Sequence, residues 1–225
     1  MNQKTRTIMV IIGTRPEGIK LAPIIKQFKT DKAVKIVVCV TGQHKELLAS
    51  VLTFFEIEPN ISLELMTENQ SLAHLSSRCI DQLSKKIGEI KPDLVMVQGD
   101  TTTAFMGALA AYYHQVKVAH IEAGLRSHSV LLPFPEEANR RLISVLADYH
   151  FVPTKVAKQN LLQENILENQ LFVVGNSGID ALNMGLKKVV DNQAYYQKII
   201  EEKQIEIQKE IILVTCHRRE SIGKP

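Results

Sequence analysis

Cysteine is scarce in this chain: Cys39, Cys79 and Cys216 are spread over 225 residues. An odd number without close spacing gives no disulfide framework and no metal-ligand pattern, so no metal is expected. Two of the three sit in apolar stretches and read as reduced, buried thiols of a cytosolic protein. Charge of one sign is scarce as well. Lys and Arg total 27 against 24 Asp and Glu, a net charge of +3. With no clustered basic face, nucleic acid is not an expected partner. No apolar run approaches membrane-spanning length. The polar, basic first residues lead into a short strand, not a signal-peptide core. Membrane insertion is therefore not expected, and the cytoplasm is the expected location. There is no G-x-G-x-x-G, which removes support for a dinucleotide cofactor. Neither an internal repeat nor a low-complexity tract is present.

What the sequence does contain is regular alternation of short apolar runs with amphipathic stretches. Strands are predicted at 8–12, 36–40, 61–66, 94–97, 116–121, 149–152 and 171–174. Helices are predicted at 17–29, 44–55, 71–90, 102–114, 135–147 and 155–164. In the longest helix Leu72, Leu75, Cys79, Leu83 and Ile87 fall on one face. Fully apolar strands alternating with helices predict an α/β fold, a Rossmann-like parallel sheet covered by helices on both faces. Residues 1–176 read as one such domain. Residues 177–225 read as linker helices (179–190 and 191–209) followed by the first strand, 211–214, of a second Rossmann-like domain that the sequence does not complete.

Ligands of an open parallel sheet bind beyond the carboxyl ends of its strands, and the distinctive residues lie there. Gly13-Thr14-Arg15-Pro16-Glu17 follows the first strand, with Lys20 one helical turn on. A strand-to-helix turn offers backbone N–H groups and a positive helix end to an anion, and Arg15 and Lys20 add charge suited to a diphosphate. A tight turn with two exposed cations fits the spacing equally well. In Gly99-Asp100-Thr101-Thr102-Thr103, Asp100 or a threonine fits a helix cap, or Asp100 faces the crevice. Glu122 leaves a buried strand in His120-Ile121-Glu122-Ala123-Gly124-Leu125-Arg126, either towards the crevice or into a pair with Arg126. Glu136 and Glu137 open a helix, where one suits the helix dipole, and Arg140, one turn on, is placed to hold Glu136. His217-Arg218-Arg219-Glu220 ends the final strand. Three clustered carboxylates, Asp100, Glu122 and Glu136, shift one another's proton affinities apart, as acid/base chemistry requires. His74, His114, His120 and His150 read as structural. His44 reads as a possible lining residue of the crevice or of a neighbouring site.

The motifs Gly-Thr-Arg-Pro-Glu, Gly-Asp-Thr-Thr-Thr, Glu-Ala-Gly-Leu-Arg, Pro-Glu-Glu-Ala-Asn-Arg and His-Arg-Arg-Glu occur in this order between Ile8 and Gly223. The series resembles the non-hydrolysing UDP-N-acetylglucosamine 2-epimerases. The resemblance implies two Rossmann-like domains facing across a cleft, as in GT-B glycosyltransferases, of which this sequence covers the first half. It also implies a homodimer, a UDP-sugar substrate and no cofactor. The implied reaction interconverts UDP-N-acetylglucosamine and UDP-N-acetylmannosamine by elimination of UDP to 2-acetamidoglucal and re-addition, in service of cell-surface polysaccharide biosynthesis. By the same resemblance Asp100, Glu122, Glu136 and His217 are catalytic, Arg15, Lys20 and Arg140 bind or support substrate, and Gln43 and His44 match a regulatory nucleotide-sugar site. Ser127-His128-Ser129 departs from the family, which commonly has glycine in the middle. Because the second domain carries most contacts to UDP in the family, a chain of this length is expected to be inactive or nearly so. The alternatives are a folded, inactive fragment, or an epimerase acting on another UDP-sugar.

Overall fold

The alternating apolar runs do form parallel strands. The computed structural model of the chain describes residues 5–42, 45–65 and 70–212. Seven strands, β1 (Arg6–Ile12), β2 (Val34–Val40), β3 (Ile61–Ser62), β4 (Leu94–Gln98), β5 (Lys117–Ile121), β6 (Tyr149–Val152) and β7 (Leu171–Val173), make one sheet in the order β3-β2-β1-β4-β5-β6-β7. Every pairing is parallel. The helices between them are α1 (Arg15–Lys29), α2 (Lys45–Phe54), α3 (Leu72–Ile90), α4 (Thr102–Tyr113), α5 (Glu136–Leu146) and α6 (Lys155–Gln163). Among the described residues no helix is long and apolar enough to cross a membrane.

Alternation along the strands divides the core. Met9, Ile11, Val95 and Val97 point to one face, where they join Leu75, Cys79, Leu83 and Ile87 of α3, the alanines of α4 and Ile143 of α5. The predicted stripe on α3 is buried at Leu75, Cys79, Leu83 and Ile87, whereas Leu72 at its start is exposed. α1 lies against β1, β2 and β4 and buries Leu21, Ala22 and Ile25. Cys39 and Cys79 are both buried, and burial holds their thiols protonated, at pKa values of about 12 and about 11. Gly124 is fixed by crowding as well as by its φ of +84°: an added Cβ would stand 2.3 Å from the Ala157 carbonyl oxygen.

Three expectations need correction. The strand expected at 61–66 stops at Ser62: Glu64 takes a φ of 45°, outside the extended region, although Leu63 and Leu65 still donate their N–H groups to the Val40 and Thr41 carbonyls at 2.9 Å, and Met66 lies outside the described residues. The helix expected over 191–209 is α8 (Gln193–Glu202), with turns after it. Ile211 and Ile212 form no strand and are exposed, since no described strand is there to accept their hydrogen bonds; 213–214 lie outside the described residues.

The chain divides into two compact units, Met1–Asn183 and Met184–Pro225. The first holds the sheet and the beginning of α7 (Ser177–Asp191). In the second, no residue of α8 is buried.

Leu83 is fully buried at the centre of the α3 face. Leu83→Ala is expected to cost about 2–5 kcal/mol in urea unfolding, and a loss below about 1 kcal/mol would mean that α3 does not carry this core.

Candidate active site

The strand order reverses between β1 and β4, so the turns that follow these strands flank the crevice of the sheet. Both turns are tied to one buried group. Glu17, 2% exposed, takes the N–H of Gly13 and the N–H of Thr14 (2.7 Å) on one carboxyl oxygen and the Thr101 hydroxyl on the other. Gly13 has no room for a side chain, because a Cβ there would stand 2.6 Å from Cβ of Thr103. The amides that the sequence offered to an anion are thus occupied by the protein's own carboxyl group. Arg15 is exposed and makes no ion pair among the described residues. Thr101 is the cap of α4, accepting from the Ala104 N–H at 3.0 Å. That leaves the Asp100 side chain for other work.

Glu122 follows β5 directly with a φ of 63°, a left-handed conformation that costs a non-glycine residue about 1–2 kcal/mol. Its carboxylate is bonded to Lys20 of α1, receives the Gln98 amide at 2.6 Å, and lies 3.5 Å from the Asn176 amide. The alternative partner, Arg126, is engaged elsewhere. Its guanidinium, 1% exposed, pairs with Glu164 at 2.7 Å and donates to Ser144 at 2.9 Å. Lys20 therefore meets a catalytic candidate as its partner across the crevice. Beside Glu122 is a cavity of about 270 Å³ with an apolar wall that includes Phe28, Met96, Ile121 and Phe151, and with Asn176 and Asp180 among its polar lining.

From α5, Arg140 reaches Asp100 and also Glu137 at 3.4 Å. Sequence spacing pointed to Glu136 as its partner; the helix instead turns Arg140 toward Asp100 and Glu137. One carboxyl oxygen of Glu136 is buried without a hydrogen-bond partner among the described residues. Glu137 is the structural member of the pair: fully buried, it receives Arg141 at 3.0 Å and the Ser127 N–H at 3.1 Å. Asn139 adds a bond from its amide to the Asp100 carbonyl at 2.9 Å. Gln98, Asn139 and Glu17 were not singled out from sequence, although each lies inside or beside a motif, and Glu137 was read only as one of two acids opening a helix. Nearby, His128 has a φ of 65°, a left-handed conformation that glycine adopts without steric cost.

The site is electrostatically uneven. Burial raises the Asp100 carboxyl above the usual carboxylate range, Arg140 pulls it back, and the charges of Glu136 and Glu122 push it up again. Burial raises Glu17 to about 7 against the pull of its three hydrogen bonds. His120, buried under the crevice with Nε2 2.7 Å from the Gly99 carbonyl, is lowered to about 3 by burial, and His150 likewise to about 4. Both histidines read as structural, and both are buried. His114 bonds Ser84 at 2.8 Å, and His74 is exposed in the first turn of α3. Gln43, His44 and His217 lie outside the described residues. Among the described residues no group of three or more His, Cys, Asp or Glu is arranged to hold a metal ion.

These shifts set a sign for stability against pH. A histidine lowered in the folded state contributes stability that is present above its unfolded value of about 6.5 and is lost as pH falls towards the folded value. Glu17, raised in the folded state, acts in the opposite sense: its contribution is present below about 4.5 and is lost as pH rises through about 7. His120→Asn should therefore flatten the loss of stability on acidification from pH 6.5 to 4. Urea midpoints across that range check this, and parallel curves for both proteins would mean that His120 is not held neutral.

Against known proteins, the family model described as UDP-N-acetylglucosamine 2-epimerase matches residues 26–225. The chain is 46% identical over 218 residues to the UDP-N-acetylglucosamine 2-epimerase of Salmonella borreze, covering 96% of this chain and 58% of that protein. It is 46% identical over 218 residues to a protein of Thermotoga maritima bearing the same name as putative, covering 97% of this chain and 56% of that one. The crystal structure of UDP-GlcNAc 2-epimerase from Neisseria meningitidis bound to UDP-GlcNAc superposes with a TM-score of 0.81 at 44% identity, over 85% of this chain and 52% of that chain. The chain thus spans little more than half the length of the relatives it matches. A parallel sheet with acidic and basic side chains gathered at its switch point, the five ordered motifs and these matches agree: the chain belongs to the UDP-N-acetylglucosamine 2-epimerase family.

Proposed function

We propose that the chain carries the acid/base half of a non-hydrolysing UDP-N-acetylglucosamine 2-epimerase, which converts UDP-N-acetylglucosamine to UDP-N-acetylmannosamine. In this reading residues 1–176 are the catalytic domain and 177–225 lead into a second domain that completes the cleft. The protein works in the cytoplasm as a homodimer without a cofactor, and its product serves cell-surface polysaccharide synthesis.

The C2 proton of the sugar is not acidic, because no carbonyl adjoins it. Breaking the C1–O bond sends its electron pair to UDP and leaves positive character at C1. A carboxylate among Asp100, Glu122 and Glu136 then takes the C2 proton, and a C1–C2 double bond forms. Re-addition of UDP at C1 with protonation of C2 from the opposite face gives the epimer. Two faces of C2 require two proton-handling groups, and a group serves only within hydrogen-bond reach of its proton. Arg140 steadies Asp100 and Lys20 steadies Glu122. Arg15, exposed and unpaired among the described residues, is available to the diphosphate. The observation that carries the reading is Glu136: a carboxyl group whose buried oxygen has no hydrogen-bond partner among the described residues, and whose charge acts on Asp100.

The experiment is incubation with UDP-N-acetylglucosamine in D₂O, using the protein at its full natural length. Deuterium is expected at C2 without net release of UDP. Glu122→Gln should lower that exchange by about 10²–10⁴-fold, and exchange that persists at the wild-type rate would remove Glu122 from the chemistry.

A further inference from the structure

The reaction outlined above does not use Glu17, yet this is among the best-connected carboxyl groups in the first unit. A helix-capping role explains only part of its bonding. In a capping box the acidic residue at the third helical position reaches back to the backbone N–H of the cap residue, and glutamine does so as well as glutamate. Glu17 makes that bond to Thr14 at 2.7 Å. It also receives the Gly13 N–H and, on its other oxygen, the Thr101 hydroxyl from the far side of the switch point. A cap needs neither of these, nor does it need burial to 2% exposure.

The bond to Thr101 leads into the site. Thr101 Oγ1 accepts from the Ala104 N–H at 3.0 Å, which fixes the first turn of α4. The residue before it is Asp100, whose side chain bonds Arg140 and whose carbonyl accepts from Asn139 at 2.9 Å. On the same turn Thr103 closes over Gly13. The start of α1 and the start of α4 are therefore joined twice, by a carboxyl bridge and by direct packing.

We propose that Glu17 is a positioning residue for the reaction: it holds the Asp100–Thr101 turn against the Gly13–Thr14 turn, so that Asp100 and Arg140 face the crevice in one arrangement. The kinetic consequence rests on the function proposed above; the bridge itself does not. A carboxylate accepts all three hydrogen bonds. A glutamine in its place accepts those of Gly13 and Thr14 but presents an amide N–H₂ to Thr101, whose hydroxyl hydrogen then has to turn elsewhere.

The test is Glu17→Gln in the protein at its full natural length, read in three ways. The thermal midpoint should stay within a few degrees of wild type, since the cap is preserved. Hydrogen exchange at the Ala104 amide should quicken about tenfold, while the amides of β1 and β2 are unchanged. For C2 deuterium exchange into UDP-N-acetylglucosamine, kcat per folded molecule should fall about tenfold, with KM within about threefold of wild type. Thr101→Val should reproduce the fall in kcat, and the double variant should be no slower than the slower single one, because both cut the same bridge. If Ala104 exchange or kcat is unmoved in Glu17→Gln, the proposal is overturned and Glu17 is a cap alone. If wild-type protein exchanges no deuterium at C2, the function proposed above fails. The kinetic consequence fails with it, and Ala104 exchange alone then decides whether the bridge exists.

Discussion

Seven parallel strands end on the same edge of one sheet, and this constraint governs the arrangement of the site. Each crossover helix must begin at that edge, so each strand delivers its next few residues to a shared rim. Gly13 to Glu17, Gly99 to Thr103 and Glu122 are distant in sequence but neighbours there because β1, β4 and β5 are adjacent. Helix α5 adds Glu136 and Arg140 from the loop after β5. Parallel pairing is also what permits the apolar strands. With both faces covered, the strands have no solvent side on which to place charge, so the charge collects at the ends.

A rim that gathers carboxylates has to keep them apart in protonation and in position. Cations from helices do both. Lys20 of α1 meets Glu122, and Arg140 of α5 meets Asp100 and Glu137. Burial works the other way, raising Asp100 while its neighbours Glu136 and Glu122 add to the rise. The outcome is a set of acids in unlike environments: one bridged to lysine and two amides, one held by arginine, and one with a buried oxygen to spare. Unlike environments are what allow chemically identical groups to take different parts in a proton transfer.

Much of this was legible in the sequence. Apolar runs and helical stripes depend on neighbours one to four residues away, so β1, β6 and α3 were placed to within two residues. The motifs marked the rim because their residues follow strands directly. Side-chain pairing was less legible, since it depends on the angle at which helices land on the sheet. Arg140 was expected to hold Glu136 by its spacing along α5, and holds Asp100 and Glu137 instead. Of Asp100 and the threonines offered as the cap of α4, Thr101 is the one, a choice the spacing left open. Glu17 was quoted inside a motif without a role, although Thr14-x-x-Glu17 is a capping-box spacing. What no local pattern shows is that its second oxygen would find Thr101. The strand expected at 211–214 is a different case, described only at Ile211 and Ile212: a strand exists only where a partner strand accepts its hydrogen bonds, and apolar residues alone do not supply one.

The close fit of Gly13 beneath Thr103, with Glu17 bonded across to Thr101, has a consequence for how such a sequence changes over time. A larger residue at 13 meets Thr103, and a shorter one at 17 strands the Thr101 hydroxyl and two amides. Neither motif can drift alone, whereas paired replacements leave the contact intact. The Gly-Thr-Arg-Pro-Glu and Gly-Asp-Thr-Thr-Thr segments are one physical unit, so substitutions at 13 and 17 are expected in company with substitutions at 101 and 103.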